Sequence, residues 1–163
     1  MNQITKLGSN KGYVISIGLA LILVSSLVLG YYLVTHLSPP EGYTTIYLLD
    51  SSQKKAIDYP ELLIINFNST FKVWVDVENH MGKTIQGQVR VKITDEPISN
   101  FPVNVSSIAN YSISNLENDQ TWEKEATVTI NKSGNYSVVF ELWISSEFSH
   151  NYCVLNVEVT DTL

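Results

Sequence analysis

The chain has 163 residues, with ten Lys and Arg against sixteen Asp and Glu and a net charge of −6. All sixteen acidic residues lie between Glu41 and Asp161, beside eight basic ones, a balance that excludes a nucleic-acid binder, since neutralising phosphates takes clustered Lys and Arg. The one cysteine, Cys153, excludes an internal disulfide, so the core has to hold without a covalent staple; Cys153 is expected to act as a small buried apolar residue.

Residues 1–11 read as a short polar tail with Lys6 and Lys11 and no acidic residue. From Gly12 to Thr35 no side chain is charged, and these 24 residues reach about 36 Å as a helix, enough to cross a hydrocarbon core of roughly 30 Å. The run is longer than the roughly 7–15-residue core of a signal peptide, and no A-x-A site follows it, so residues 12–37 are expected to form a transmembrane helix contacting lipid. With both lysines ahead of it and every carboxylate behind, the N-terminus is expected in the cytoplasm and the rest outside the cell, on a single-pass anchor. The Lys11-Gly12 step before a long apolar helix is also similar to the leader junction of archaeal type IV pilin-like precursors. That resemblance implies cleavage there and a helix used as a filament core.

Residues 38–42, Ser-Pro-Pro-Glu-Gly, read as a stiff hinge. Beyond them the period changes to two. Phe71, Val73, Val75 and Val77 alternate with polar residues, as do Val89, Val91 and Ile93. So do the even positions from Tyr136 to Ile144 and the odd positions from Cys153 to Val159, the pattern of half-buried strands. Weaker strands are expected at 44–49, 62–67, 111–116 and 122–130. Residues 93–108, with Pro97 and Pro102, read as a crossover between sheets. Seven or eight short strands predict an all-β domain over 43–163, an antiparallel sandwich of immunoglobulin or fibronectin-III type.

The chemical motifs are those of modification rather than catalysis. Asn68, Asn104, Asn110, Asn131 and Asn135 each open an N-x-S/T triplet without proline, so N-linked glycans are expected there on an extracellular domain; Asn151 opens the rarer N-x-C form. His36, His80 and His150 have no partner at ligand spacing, so neither a metal nor another cofactor is expected. The carboxylate pairs Asp95/Glu96 and Asp76/Glu78 read as surface charge. No phosphate loop or nucleophile elbow appears, and no enzyme is expected. Trp74 and Trp143 fall on the outward phase of their strands. They are candidate contacts for a protein partner, or else each packs beneath a loop, a glycan or a long neighbouring side chain.

The pieces Ala56-Ile57-Asp58-Tyr59-Pro60, Asn79-His80-x-Gly82, Trp122 and Asn135-Tyr136-x-x-x-Phe140-x-Leu142 are spaced as in a largely archaeal family of membrane-anchored proteins classed as a domain of unknown function. The resemblance covers about residues 43–145. It implies an extracytoplasmic immunoglobulin-like sandwich and supplies no activity. The expected function is a cell-surface binding or structural module. The alternatives are an accessory subunit of a larger membrane complex, or a pilin-like or archaellum-associated filament or stator component. The sequence leaves the oligomeric state open.

Overall fold

A computed structural model describes residues 4–37, 42–52 and 54–161, in two compact units divided after Glu41. The hinge at 38–42 lies outside the described residues except for Gly42.

The first unit is one helix, α1 (Ile4–Leu37), which begins eight residues before the apolar run. Its Gly12–Thr35 stretch is long and apolar enough to cross a membrane, a test that a signal sequence also passes. Three hydroxyls of this stretch bond back to the helix's own carbonyls. Ser16 donates to the Gly12 carbonyl at 3.0 Å, Ser26 to Leu23 at 2.8 Å and Thr35 to Tyr31 at 2.8 Å. A helix in lipid must satisfy its polar groups in this way, because no water is there to do so.

The second unit is the expected sandwich. Eight strands form in chain order: β1 (Tyr43–Asp50), β2 (Leu62–Ile64), β3 (Thr70–His80), β4 (Ile85–Thr94), β5 (Ser107–Leu116), β6 (Gln120–Thr129), β7 (Gly134–Ile144) and β8 (Glu147–Thr160). One sheet has the order β1-β3-β6 and the other β2-β8-β7-β4-β5. Every pairing is antiparallel except the short β2–β8 contact. Alternation turns one face of each strand inward. Val73, Val75 and Val77 of β3 and Val128 of β6 meet Val89 and Val91 of β4, Val138, Phe140 and Leu142 of β7 and Val157 of β8 in one core.

Two expectations need correction. Residues 93–108 do not cross between sheets: β4 and β5 are neighbours in the five-stranded sheet. The chain leaves β4 at Thr94, lies over the outer face of that sheet and returns beside β4, paired with it through Val91↔Ala109 and Lys92↔Ser107. The second correction concerns outward positions. Glu141 and Asp76 hold the outward phase, yet they are 0% and 4% exposed. Val139 is buried on the same outward face as Glu141, so the centre of β7 is covered on both sides.

Candidate functional site

The outer face of the five-stranded sheet is organised around a buried ion pair. Lys92 on β4 and Glu141 on β7 meet at 2.8 Å, with Lys92 only 5% exposed. The Glu141 carboxylate also accepts from the Val103 backbone N–H at 2.6 Å and the Trp143 indole N–H at 3.1 Å. Lys92 donates in turn to the Val103 carbonyl. Both charges are thus paired and hydrogen-bonded, the condition for keeping them out of water. The same bonds fasten residues 95–106 to the sheet, and Phe101 adds a stack on Tyr152 with centroids 3.6 Å apart. Trp143 is half-buried, with the Arg90 guanidinium 3.8 Å over its ring and Phe148 beside it. This arrangement is a latch. It offers no nucleophile and no open catalytic base.

The outer face of the three-stranded sheet is acidic. Asp76 and Glu78 of β3 lie beside Glu123 and Thr121 of β6. Lys54 reaches in from the loop after β1, 2.6 Å from Glu123 and 4.1 Å over the ring of half-buried Trp74. Tyr47 donates to Glu78 at 2.7 Å. That bond, then burial, pushes the tyrosine up to about 12, while it holds the Glu78 carboxyl below the usual carboxylate range. Asp76 moves the other way. Burial foremost, then the charge of Glu123, raises it, and its Oδ1 has no hydrogen-bond partner. With its pKa higher folded than unfolded, Asp76 favours the native state at low pH, and that advantage disappears as pH rises through the folded value. Asp76→Asn is therefore expected to raise the melting temperature at neutral pH, with the gain shrinking toward zero at acid pH. An unchanged difference across that pH range would remove the linkage.

The structure places the other candidate residues as follows. Cys153 is half-buried, donates to the Ile46 carbonyl at 3.3 Å and is pushed up to about 11 by burial, which makes it a poor thiolate. His80 sits between Asp119 at 2.8 Å and Glu78 at 3.5 Å, and its bond to Asp119 raises its pKa. Among the described residues no group of three or more His, Cys, Asp or Glu is placed to hold a metal ion. Asn68, Asn104, Asn110, Asn131 and Asn135 are all exposed. Asn151 differs, because its amide nitrogen donates to the carbonyl and hydroxyl of Thr44 at 2.9 Å each.

The distinctive sequence pieces are structural. Asn79 is fully buried. Its amide donates to the carbonyls of Lys83 and Leu116, and its oxygen accepts from Met81 N–H, tying two loops together. Gly82 takes a φ of 69°, the left-handed conformation that glycine adopts freely. Tyr59 donates its hydroxyl to the Leu48 carbonyl at 2.5 Å. The Lys92–Glu141 pair escaped the sequence reading, although apolar Val139 on an outward position of the same strand signals a covered face.

Two sheets, antiparallel but for the short β2–β8 contact, packed in this order define an immunoglobulin-like β-sandwich. The chain belongs to the family described as a domain of unknown function (DUF1616), which it matches over residues 37–150. Among solved structures it is similar to the CARDB domain of a Pyrococcus furiosus protein in solution, with TM-score 0.52 and 16% identity, over 75% of this chain and 98% of that one. The crystal structure of the same domain in complex with di-metal ions matches with TM-score 0.51 and 16% identity, over 75% and 96%. At this identity the likeness shows the fold alone. No curated protein matches the chain.

Proposed function

We propose that this protein is a non-enzymatic surface module, anchored by α1 with its N-terminus in the cytoplasm, whose extracellular sandwich is N-glycosylated and binds a protein partner in the membrane or cell envelope. The distribution of the glycosylation triplets carries the reading. The chain arrives at Tyr43, which pairs with His80, and the β7–β8 turn shares a cleft with Tyr43 at that end. Asn68 and Asn131 flank the Thr70↔Thr129 pair at the other end, where Ser69 donates to Asn131 at 3.3 Å. Asn135 lies one residue into β7, at its far end from that turn. Three of the five acceptors therefore crowd the end away from the incoming chain, and none lies at the arriving end. A domain held by its arriving end and exposed at the other would place glycans in this way.

Of the two outward tryptophans, Trp74 is the proposed partner contact, because it is half-buried on the outer face of the acidic sheet, with the Lys54 ammonium 4.1 Å over its ring. Trp143 braces the buried pair as well. The small residues Gly18, Ala20, Ser25 and Ser26 of α1 favour the second reading, in which the helix packs against helices of a larger membrane complex.

Three measurements test this. Protease added to intact cells is expected to remove the sandwich, and a protected C-terminus would overturn the orientation. The intact mass of the native protein is expected to exceed 18.3 kDa, with Asn68→Gln and Asn131→Gln each removing a glycan; unmodified asparagines would overturn the glycan assignment. Purification in mild detergent is expected to recover a partner through the sandwich, with Trp74→Ser weakening recovery while the melting temperature holds. Recovery through α1 alone would favour the complex-subunit reading, and filaments of this chain would favour the pilin-like one.

A further inference from the structure

Each sheet has two edges, and three of the four are blunted. β2 has only three residues. β6 carries Glu123, Lys124 and Glu125 along its length. On β1 the carbonyls of Thr44 and Ile46 accept from Asn151 and Cys153 of β8. Short strands, charges and covering side chains are the means by which proteins keep unpaired backbone from recruiting another chain.

The fourth edge, β5, lacks them. Its ten residues, Ser-Ile-Ala-Asn-Tyr-Ser-Ile-Ser-Asn-Leu, include no charge and no proline. It ends its sheet, pairing only with β4 among the described strands. Irregularities mark both ends of that pairing, but Ala109–Ile113 runs in unbroken register with Gly87–Val91. Ile108 beside this stretch is 51% exposed. Two copies pairing antiparallel along β5 would set no like charges opposite each other.

Asn110 sits within the regular stretch, and both Asn110 and Ser112 of its triplet are exposed on one face, opposite Arg90 and Gln88 of β4. We infer that an N-glycan on Asn110 shields this edge, and that without it β5 pairs with β5 of a second copy of the chain. A strand docked on the edge would bring a side chain to about 4.5–5.5 Å from Asn110, space that a glycan core already fills. The sugar thus does for β5 what charge does for β6. The inference rests on the extracellular, glycosylated reading above and adds one site's purpose.

The test uses the full chain, expressed in the organism that makes it and extracted in mild detergent. The peptide containing Asn110 is weighed, and the protein mass in the micelle is measured by light scattering. Wild type is expected to carry a glycan on Asn110. Asn110→Gln is expected to lose it and to double in protein mass relative to wild type in a concentration-dependent way. Asn110→Lys also lacks the glycan but places a charge on the edge, and is expected to keep the wild-type mass. Because α1 is common to all three, association through the helix does not separate them. An unmodified Asn110 in wild type would overturn the inference, while the general glycan reading stands or falls on the other four asparagines. A lost glycan with unchanged mass in Asn110→Gln would overturn the shield and leave glycosylation intact. Equal mass gains in the Gln and Lys variants would place the association elsewhere than this edge.

Discussion

Glu141→Ala is expected to destabilise the sandwich by about 3–5 kcal/mol, the usual cost of removing one partner from a buried ion pair. The carboxylate is fully buried and accepts from Lys92, Val103 and Trp143. Alanine would leave the Lys92 ammonium buried without its counter-charge, facing the Val103 carbonyl and, 6.0 Å away, the Trp143 ring, and would strip the Val103 N–H and the Trp143 indole of their acceptor. Removing both charges together is a different matter. Lys92→Met with Glu141→Leu is expected to recover the part of the loss that comes from the unpaired ammonium, because apolar side chains of similar volume need no solvation, while the Val103 N–H and the Trp143 indole still lack their acceptor. Urea unfolding of the full chain in detergent, followed by tryptophan fluorescence, reads both, and hydrogen exchange at 97–103 reads the latch. If Glu141→Ala cost within about 0.5 kcal/mol, as an exposed surface substitution does, the pair would be solvated and the latch absent.

That result also marks the boundary between what the sequence told and what it withheld. Period-two alternation located β3, β4, β7 and β8, because each has an inner face that must be apolar whatever lies on the other; the four weaker strands were placed with less precision, and the one expected at 62–67 stops at Ile64. It gave the phase of Glu141 and Asp76 correctly and their burial wrongly. Alternation says which way a side chain points and nothing about what lies on top of it. The cover on β7 is residues 95–106, a segment without periodicity whose prolines suggested departure from the sheet. Its return to the same sheet depends on contacts distant in sequence, Phe101 on Tyr152 and Val103 on Glu141. The buried run Val138 to Leu142 did carry a trace of two-sided burial, since Val139 is apolar on the outward phase. The glycosylation triplets were legible as motifs. Their crowding at one end, and the position of Asn110 on a free edge, required the strand order, which hydrophobic periodicity does not encode.

Phe140→Ala, one residue from Glu141 and on the opposite face, is expected to cost about 3–5 kcal/mol by a separate mechanism. Phe140 is 0% exposed on the central strand of the five-stranded sheet, paired with Val91 of β4 and Cys153 of β8. Truncation removes a ring from the packed space between the sheets and leaves a cavity that the valines of β3 cannot fill without moving strands held by their ladders. The two neighbouring substitutions are thus expected to be about equally severe and to respond differently to rescue. A second substitution at Lys92 should recover stability lost at position 141 and do nothing for position 140. Glu158→Ala, on an exposed position of β8, should stay within about 0.5 kcal/mol and report the cost of a surface substitution. A mild Phe140→Ala would show that the intersheet space collapses around the missing ring. Rescue of Phe140→Ala by a change at Lys92 would mean that the two faces of β7 are not energetically separate.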